Sequence, residues 1–411
     1  MQPVELLAPA GDLECLETAI YFGADAVYVG GPKLQLRAAN VGFMMETLAC
    51  AVQTAHRAGR KLYVAVNSFA ANEDISEAEP YARELFDLGV DAVIISDIGV
   101  MAEFKKAAPA LPIHVSTQAN CYAAARVYHA LGASRIVLAR EMTLDAIAEL
   151  RARVPDDLEL EAFVHGAMCM AYSGRCMISA YLTGRSANRG ACAQPCRWRY
   201  ALSEETRPGE YFPVLEDAHG MTILSSRDLC AVSFLDKLAT AGVTSFKIEG
   251  RMKSPYYVAT VVNVYRRALD ALARGETPDQ AFLMKELGAA SHRPFSRGFY
   301  FGEIPFESAA GDGYVQDCIF AGVVRAAESG RITFEQRNRI RTGDRLEVLS
   351  PVLSNVHFTV GSMIAPNGST TDDARLPSGL YSTDCPLPLS PGDILRIRRS
   401  ENVHNGRKCR F

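Results

Sequence analysis

The sequence predicts a parallel (β/α)8 barrel of the TIM type, with a cysteine-rich insertion after its seventh strand and a small β-barrel-like domain at its carboxyl end. Short apolar runs alternate with longer amphipathic segments and yield eight strand candidates in about 250 residues. Four phrases, FGADAVYV, LGVDAVII, LGASRIVL and AGVTSFKI, put a glycine at a helix end just before the next strand, as a helix C-terminus requires. No GxGxxG phosphate turn follows the first strand, which argues against an open dinucleotide-binding sheet.

In chain order, the strand candidates are VELLA (4–8), ADAVYVGG (24–31), KLYVAVN (61–67), DAVIISD (91–97), PIHVSTQ (112–118), SRIVLARE (134–141), LELEAFVHG (158–166) and TSFKIEGR (244–251), most of them separated by helical spacing. Between His165 and Thr244 lie some eighty residues where a short loop and a helix would suffice, so an insertion is expected over 166–243. It holds clustered cysteines, then a hairpin-like stretch (EYFPVLEDAHGMTILSS), then a helix returning to the eighth strand. A helix over 254–275 closes the barrel domain (1–275), a linker region occupies 276–321, and β-type runs with turns make a second domain of 322–411.

A chain of 411 residues with net charge −4 fits two globular domains, and no apolar run is long enough to cross a bilayer. The amino terminus enters a strand without a basic n-region or an apolar h-region, so a cytoplasmic, reducing setting is expected. Cys15, Cys50, Cys121 and Cys318 stand alone among apolar neighbours and read as small hydrophobes.

In such a barrel the loops at the strand carboxyl ends form the active face. The polar residues there are Asn67, Asp97, Gln118, Asn120, Arg140, Glu141, His165, Glu249 and Arg251, for each of which helix capping is the competing explanation. Of these, Asn67, Gln118, Arg140 and Arg251 are the substrate-binding candidates. Period-two alternation puts Glu159, Glu161, Phe163 and His165 on one face of the seventh strand, while Lys247 and Glu249 share a face of the eighth. Interior charges must pair, which predicts a Glu161/Lys247/Glu249 network, with Glu5 beside it, serving either as a site or as a structural ion cluster. His165 is a candidate general acid/base, anion ligand or support for a metal. A peptidase would need an activated nucleophile or an open metal site, and neither HExxH nor GxSxG occurs; His165 with Cys169 or Cys176 is the only thiol pairing suggested.

Cys169, Cys176, Cys192 and Cys196 are spaced C-x6-C-x15-C-x3-C, and Cys230 follows after 33 intervening residues. Structural zinc sites favour tighter paired knuckles, whereas thiolates from separated loops suit a [4Fe-4S] cluster; zinc and unmetallated redox thiols are the alternatives. Five thiols compete for four places.

The run Glu161-x-Phe163-x-x-Gly166-Ala167-Met168-Cys169-x4-Gly174-x-Cys176-x-Ile178-Ser179 resembles the signature of the collagenase-like peptidase family U32. The resemblance extends to LLAPAGDLECLETAI, NRGACAQPCRW, EDAHGMTILSSRDLC and FKIEGRMKSPYYVA, and so covers roughly residues 4–270. It implies mainly oxygen-independent hydroxylation, with a collagenase-like peptidase the alternative: members convert the wobble uridine of tRNA to 5-hydroxyuridine with prephenate, and others hydroxylate a quinone precursor. It also implies a [4Fe-4S] cluster on Cys169, Cys176, Cys192 and Cys230, with Cys196 the alternative ligand. The catalytic candidates are then Glu161, His165, Lys247 and Glu249, and a dianionic prephenate would be met by Arg140, Lys247 and Arg251.

Charge favours an RNA partner over a quinone. Residues 321–411 hold 13 Lys+Arg against 9 Asp+Glu, with arginines grouped at 337–345 and 396–410. Arg185, Arg189, Arg197 and Arg199 with Trp198 and Tyr200 form a basic, aromatic stretch suited to an unstacked base. No membrane contact is expected, and a partner protein or a second copy of the chain is compatible with this reading.

Overall fold

The computed structural model describes residues 3–35, 42–168, 178–185, 192–195, 202–203, 211–212, 215–217, 220–222, 227–303 and 314–399. Seven parallel strands, β1 (Glu5–Pro9), β2 (Ala26–Gly30), β3 (Lys61–Val66), β4 (Ala92–Ile95), β5 (Ile113–Ala119), β6 (Arg135–Leu138) and β7 (Glu159–Ala167), pair in sequence order. An eighth, Ser245–Ile248, pairs in parallel with both β7 and β1 and closes the barrel. Helices α1 (Leu13–Tyr21), α2 (Met45–Arg57), α3 (Asn72–Asp87), α4 (Ile98–Ala107), α5 (Tyr122–Ala130) and α6 (Leu144–Arg153) alternate with the strands, and a 19-residue helix, Pro255–Ala273, follows the eighth. Strands covered on both faces read as nearly continuous apolar runs, and β2 and β4 are buried throughout.

The four helix-end glycines do what the repeat predicts. Gly23, Gly89, Gly132 and Gly242 have φ between +82° and +100°, a region costly for residues with a Cβ. Two residues later in each unit a short polar side chain bonds the backbone of the preceding strand. Asp25 accepts from the Leu6 amide and Asp91 from the Leu62 amide, while Ser134 donates to the Ile113 carbonyl and Thr244 to the Leu160 carbonyl. The repeat is thus Gly-x-(Asp/Ser/Thr): the glycine ends the helix and the polar residue registers the next strand.

β7 is longer than the barrel requires. Its upper part pairs antiparallel with a short strand, Asp228–Cys230, in the register Asp228↔Ala167 and Cys230↔His165, and Phe295–Ser296 adds outside that. Both stems of the insertion therefore meet at the barrel mouth beside β7. Within it, Leu215–Asp217 and Gly220–Thr222 form the expected hairpin, and a helix, Leu235–Thr240, leads to the eighth strand. Residues 276–317 include a helix, Gln280–Leu287, as well as that Phe295–Ser296 strand.

The carboxyl-terminal domain is a curled, eight-stranded antiparallel sheet that begins with Cys318–Glu328 and has its own core around Val324, Phe334, Leu346 and Leu395. It docks on the outside of the barrel. Tyr21 donates to Asp393 at 2.9 Å, Arg325 and Arg337 both reach Glu14, Tyr256 stacks on Phe320, and Arg267 donates to the Ser350, Pro351 and Leu353 carbonyls.

The barrel floor is ionic. Arg135 of β6 bonds Glu5 at 2.6 Å, Glu159 at 2.6 Å and Glu161 at 3.1 Å; Tyr63 and Ser245 also donate to Glu5. Burial alone would raise the Glu5 carboxyl, but the Arg135 charge and hydrogen bonds leave it below its ordinary value. Burial likewise works against the Arg135 charge, which Glu161 and Glu5 more than restore. Removing one partner leaves the others charged in a dry interior. Arg135→Met is expected to cost about 3–5 kcal/mol in denaturant unfolding; an unchanged midpoint would show that the cluster carries no stability.

Candidate functional site

Above this floor the barrel interior holds one more buried pair. Lys247 of the eighth strand donates to Glu161 of β7 at 2.7 Å, and the two side chains are 5% and 0% exposed. The Lys247 ammonium lies 4.5 Å from the Tyr28 ring centroid and 5.5 Å from that of Phe163. Burial lowers the Lys247 pKa, an effect the Glu161 charge and hydrogen bond only partly offset. A lysine so held gives up its proton more readily than a solvated one.

Nearer the mouth, Arg140 sits with its guanidinium 3.8 Å from the Phe163 ring centroid, donates to the Ala167 carbonyl at 2.5 Å and pairs with Glu249 at 3.1 Å. Arg251 is buried and donates to Gln35 at 3.2 Å. Gly30 makes room for that pair, since a Cβ there would lie 1.9 Å from the Gln35 oxygen and 2.6 Å from the Arg251 guanidinium. Gly166, at φ +110°, does the same for Glu249, whose carbonyl would stand 2.6 Å from an added Cβ. Two glycines therefore set the positions of two charged mouth residues.

The predicted four-residue network separates into two. Glu161 and Lys247 connect to Glu5 through Arg135, a residue absent from the sequence reading because it leads an apolar run and resembles a flanking charge. Glu249 pairs with Arg140 instead. Asn67 follows β3 half-buried, and Asp97 is a helix cap, accepting from the Gly99 and Val100 amides. The Gln118 side chain lies outside the described residues, but Thr117 beside it has φ +34°, a rare conformation for a β-branched residue, where the β5–β6 register slips between Val115 and Ala119. Local strain at a strand mouth has no sequence signal beyond the polar STQ run.

His165 departs from simple alternation. The pairing of β7 with the eighth strand shifts between Lys247 and Ile248, and His165 packs on Tyr257 and Tyr265 of the closing helix and on Phe295 rather than sharing the interior with Glu161. Tyr265 donates to the Val164 carbonyl at 2.7 Å, so His165 Nδ1, 3.3 Å away, is the donor to that hydroxyl. Burial holds its pKa down at about 3, and the imidazole is neutral at physiological pH.

Cys169, Cys176 and Cys196 lie outside the described residues, as do Arg189, Arg197, Trp198, Arg199 and Tyr200. Cys192 is exposed and its sulfur accepts the Gln194 amide at 3.3 Å, the N–H···S contact that stabilises a thiolate or a cluster ligand. Cys230 is buried across from His165, and burial raises its thiol to about 11. It stays protonated at neutral pH unless a metal's charge ionises it. Both thiols fit metal ligation chemically, and the β7 register brings the stems of the cysteine-rich insertion to one edge of the mouth. Neither Cys230 nor His165 is activated as a protease dyad would be.

Two outcomes test this geometry. Gly30→Ala should displace Arg251 and weaken binding of an anionic substrate with little loss of fold, read as a raised KM at similar Tm. For His165, a pKa near 3 when folded against about 6.5 unfolded means that the unfolded chain binds the extra proton as pH falls through that window. Its contribution is complete above pH ~6.5 and is lost toward pH ~3, on the order of 5 kcal/mol in all. His165→Phe should flatten the acid limb of the stability profile; an acid limb as steep as in the wild type would contradict the assignment.

Residues 11–309 match the sequence profile of peptidase family U32, and residues 316–396 match that of the peptidase family U32 C-terminal domain. The chain is 34% identical to tRNA hydroxylation protein P of Escherichia coli, over 95% of this chain and 92% of that protein. It is 35% identical to tRNA hydroxylation protein P1 of Bacillus subtilis, over 95% and 94%. A collagenase of Porphyromonas gingivalis is 32% identical over 84% of this chain and 86% of that protein. With both of its domains matched and relatives aligned along nearly its whole length, the chain belongs to peptidase family U32.

Proposed function

We propose that this protein is an RNA-hydroxylating enzyme that converts the wobble uridine of tRNA to 5-hydroxyuridine without molecular oxygen, taking prephenate as co-substrate. The observation that carries this reading is the end-to-end similarity, second domain included, to two proteins named for tRNA hydroxylation. The mouth is consistent with it. Prephenate carries two carboxylates, and Arg140 and Arg251 stand at the rim with their guanidinium groups fixed, Arg140 by Phe163, Glu249 and the Ala167 carbonyl, Arg251 beside Gln35. Asn67, after β3, and Gln118, on β5, would complete the binding set. Lys247, kept dry and bonded to Glu161, can hold or pass a proton at Nζ on the floor of the pocket, while the Tyr28 and Phe163 rings exclude water from it.

Cys169, Cys176, Cys192 and Cys230, with Cys196 as the alternative ligand, would hold a [4Fe-4S] cluster beside this mouth. When bound, such a cluster supplies one-electron chemistry. His165, buried and neutral, acts here as a positioning residue that backs β7 beside the insertion stem. A peptidase reading draws on the collagenase likeness and the family's name; its thiol candidates, Cys169 and Cys176, lie outside the described residues, and buried His165 is neutral.

The test is nucleoside analysis of tRNA from a strain lacking the gene. Restoration of 5-hydroxyuridine-derived nucleosides by the wild-type gene, but not by Cys169→Ala, is expected, with Lys247→Met lowering the product at least tenfold. Unchanged nucleosides in the deletion strain would sink the proposal, and colourless, zinc-loaded protein from anaerobic purification would sink the cluster.

A further inference from the structure

The arginine clusters of the second domain look like a continuous basic surface in the sequence, but folding neutralises most of it. Arg337 goes to Glu14 and Glu335, Arg339 and Arg375 to Asp373, and Arg331 to Asp384. A separate group of cations gathers where that domain meets the barrel. Where the closing helix Pro255–Ala273 and the helix Gln280–Leu287 meet the second domain lies a cavity of about 330 Å³. Arg396 and Arg398 line it, and their charges are spent on Glu286 and Glu347. Three further cations share the same walls: Arg267, Lys285 and Arg345.

None of these three has a carboxylate partner among the described residues. Arg267 donates only to neutral groups, the Asn263 and Ser354 side chains and the Ser350, Pro351 and Leu353 carbonyls. Arg345 meets the Nε2 of His357 at 2.7 Å, which requires a neutral imidazole. Lys285 is exposed at the rim. Burial lowers the Arg267 pKa, the mark of a desolvated charge short of compensation. Two carboxylates thus face five cations, and the surplus lines a hollow with room for an anion.

We infer that this interdomain cavity is a phosphate site that receives a backbone phosphate of the RNA substrate, a second contact away from the barrel mouth. The inference rests on the RNA reading above. A guanidinium already held by carbonyls offers its charge at little entropic cost, and exposed Lys285 and Arg345 leave the pocket open to a strand running past it. Arg267 lies 12 residues along the closing helix from its mouth-side start, about 18 Å away, so a folded RNA can reach both places. The phosphate could also come from a small metabolite, and the experiment separates the two.

Binding of an unmodified tRNA transcript to the full-length protein would be measured by fluorescence anisotropy across a salt series. Lys285→Glu with Arg345→Glu changes two exposed side chains and leaves half-buried Arg267 in place; Arg83→Glu with Lys106→Glu makes the same charge change on α3 and α4. The pocket pair should weaken binding about tenfold or more and lower the salt slope by about 2, while the control pair stays within twofold. Equal weakening by both pairs, or by neither, overturns the inference. Inorganic phosphate, titrated calorimetrically, supplies the other arm: phosphate binding lost in the pocket pair with tRNA affinity unchanged assigns the cavity to a free phosphate and overturns the RNA contact. A wild-type protein with no measurable tRNA affinity overturns the functional reading instead.

Discussion

The seam between β7 and the eighth strand is the constraint on which the rest depends. These strands are neighbours in the barrel but are separated in the chain by the long insertion, so closure brings together distant segments at a high cost in chain entropy. The Lys247–Glu161 pair crosses that seam, and Arg135 ties Glu161 to Glu5 on β1, the other neighbour of the eighth strand. Charges in so dry a place are weak evidence for stability, because apolar residues of similar volume often do as well. Their value here is selectivity: a pairing slipped by one residue would turn Lys247 outward and leave Glu161 and Arg135 short of a partner.

The same seam organises the mouth. β7 runs past the barrel rim because a returning strand, Asp228–Cys230, gives its upper half a hydrogen-bonding partner. That antiparallel pair clamps the two stems of the insertion and seats Cys230 opposite His165. The slip between Lys247 and Ile248 turns His165 out toward the closing helix while Phe163 stays within, under Arg140 and Lys247. One irregularity thus separates a neutral histidine that supports the wall from the charged groups of the barrel interior and mouth.

The second domain is joined to the barrel by apolar packing of Cys318, Leu349 and Ile394 and by polar contacts, among them Tyr21 with Asp393, Arg337 with Glu14 and Arg396 with Glu286. A surface joined this way keeps its charges in defined places, and the interdomain hollow is left with more cations than carboxylates. Counting basic residues along the sequence overstates the field that a polyanion meets, because ion pairing with distant acids is invisible there.

The eight-stranded barrel, the glycine-terminated helices and the position of the insertion were all legible in the sequence, because each rests on local rules: hydrophobic period, helix capping and loop length. The Glu161–Lys247 pairing was legible too, since alternation within two neighbouring strands sends both side chains inward. Arg135 was not, nor was the partition of Glu249 to Arg140, because partner choice inside a closed barrel depends on which strands become neighbours across the axis. The outward turn of His165 and the strain at Thr117 arise from register shifts, and a register is set by the whole sheet rather than by either strand alone. Sequence by itself determined which residues had to be buried and which chemistry they carried; the tertiary structure decided which charges meet, because electrostatic pairing acts through space between residues more than a hundred positions apart.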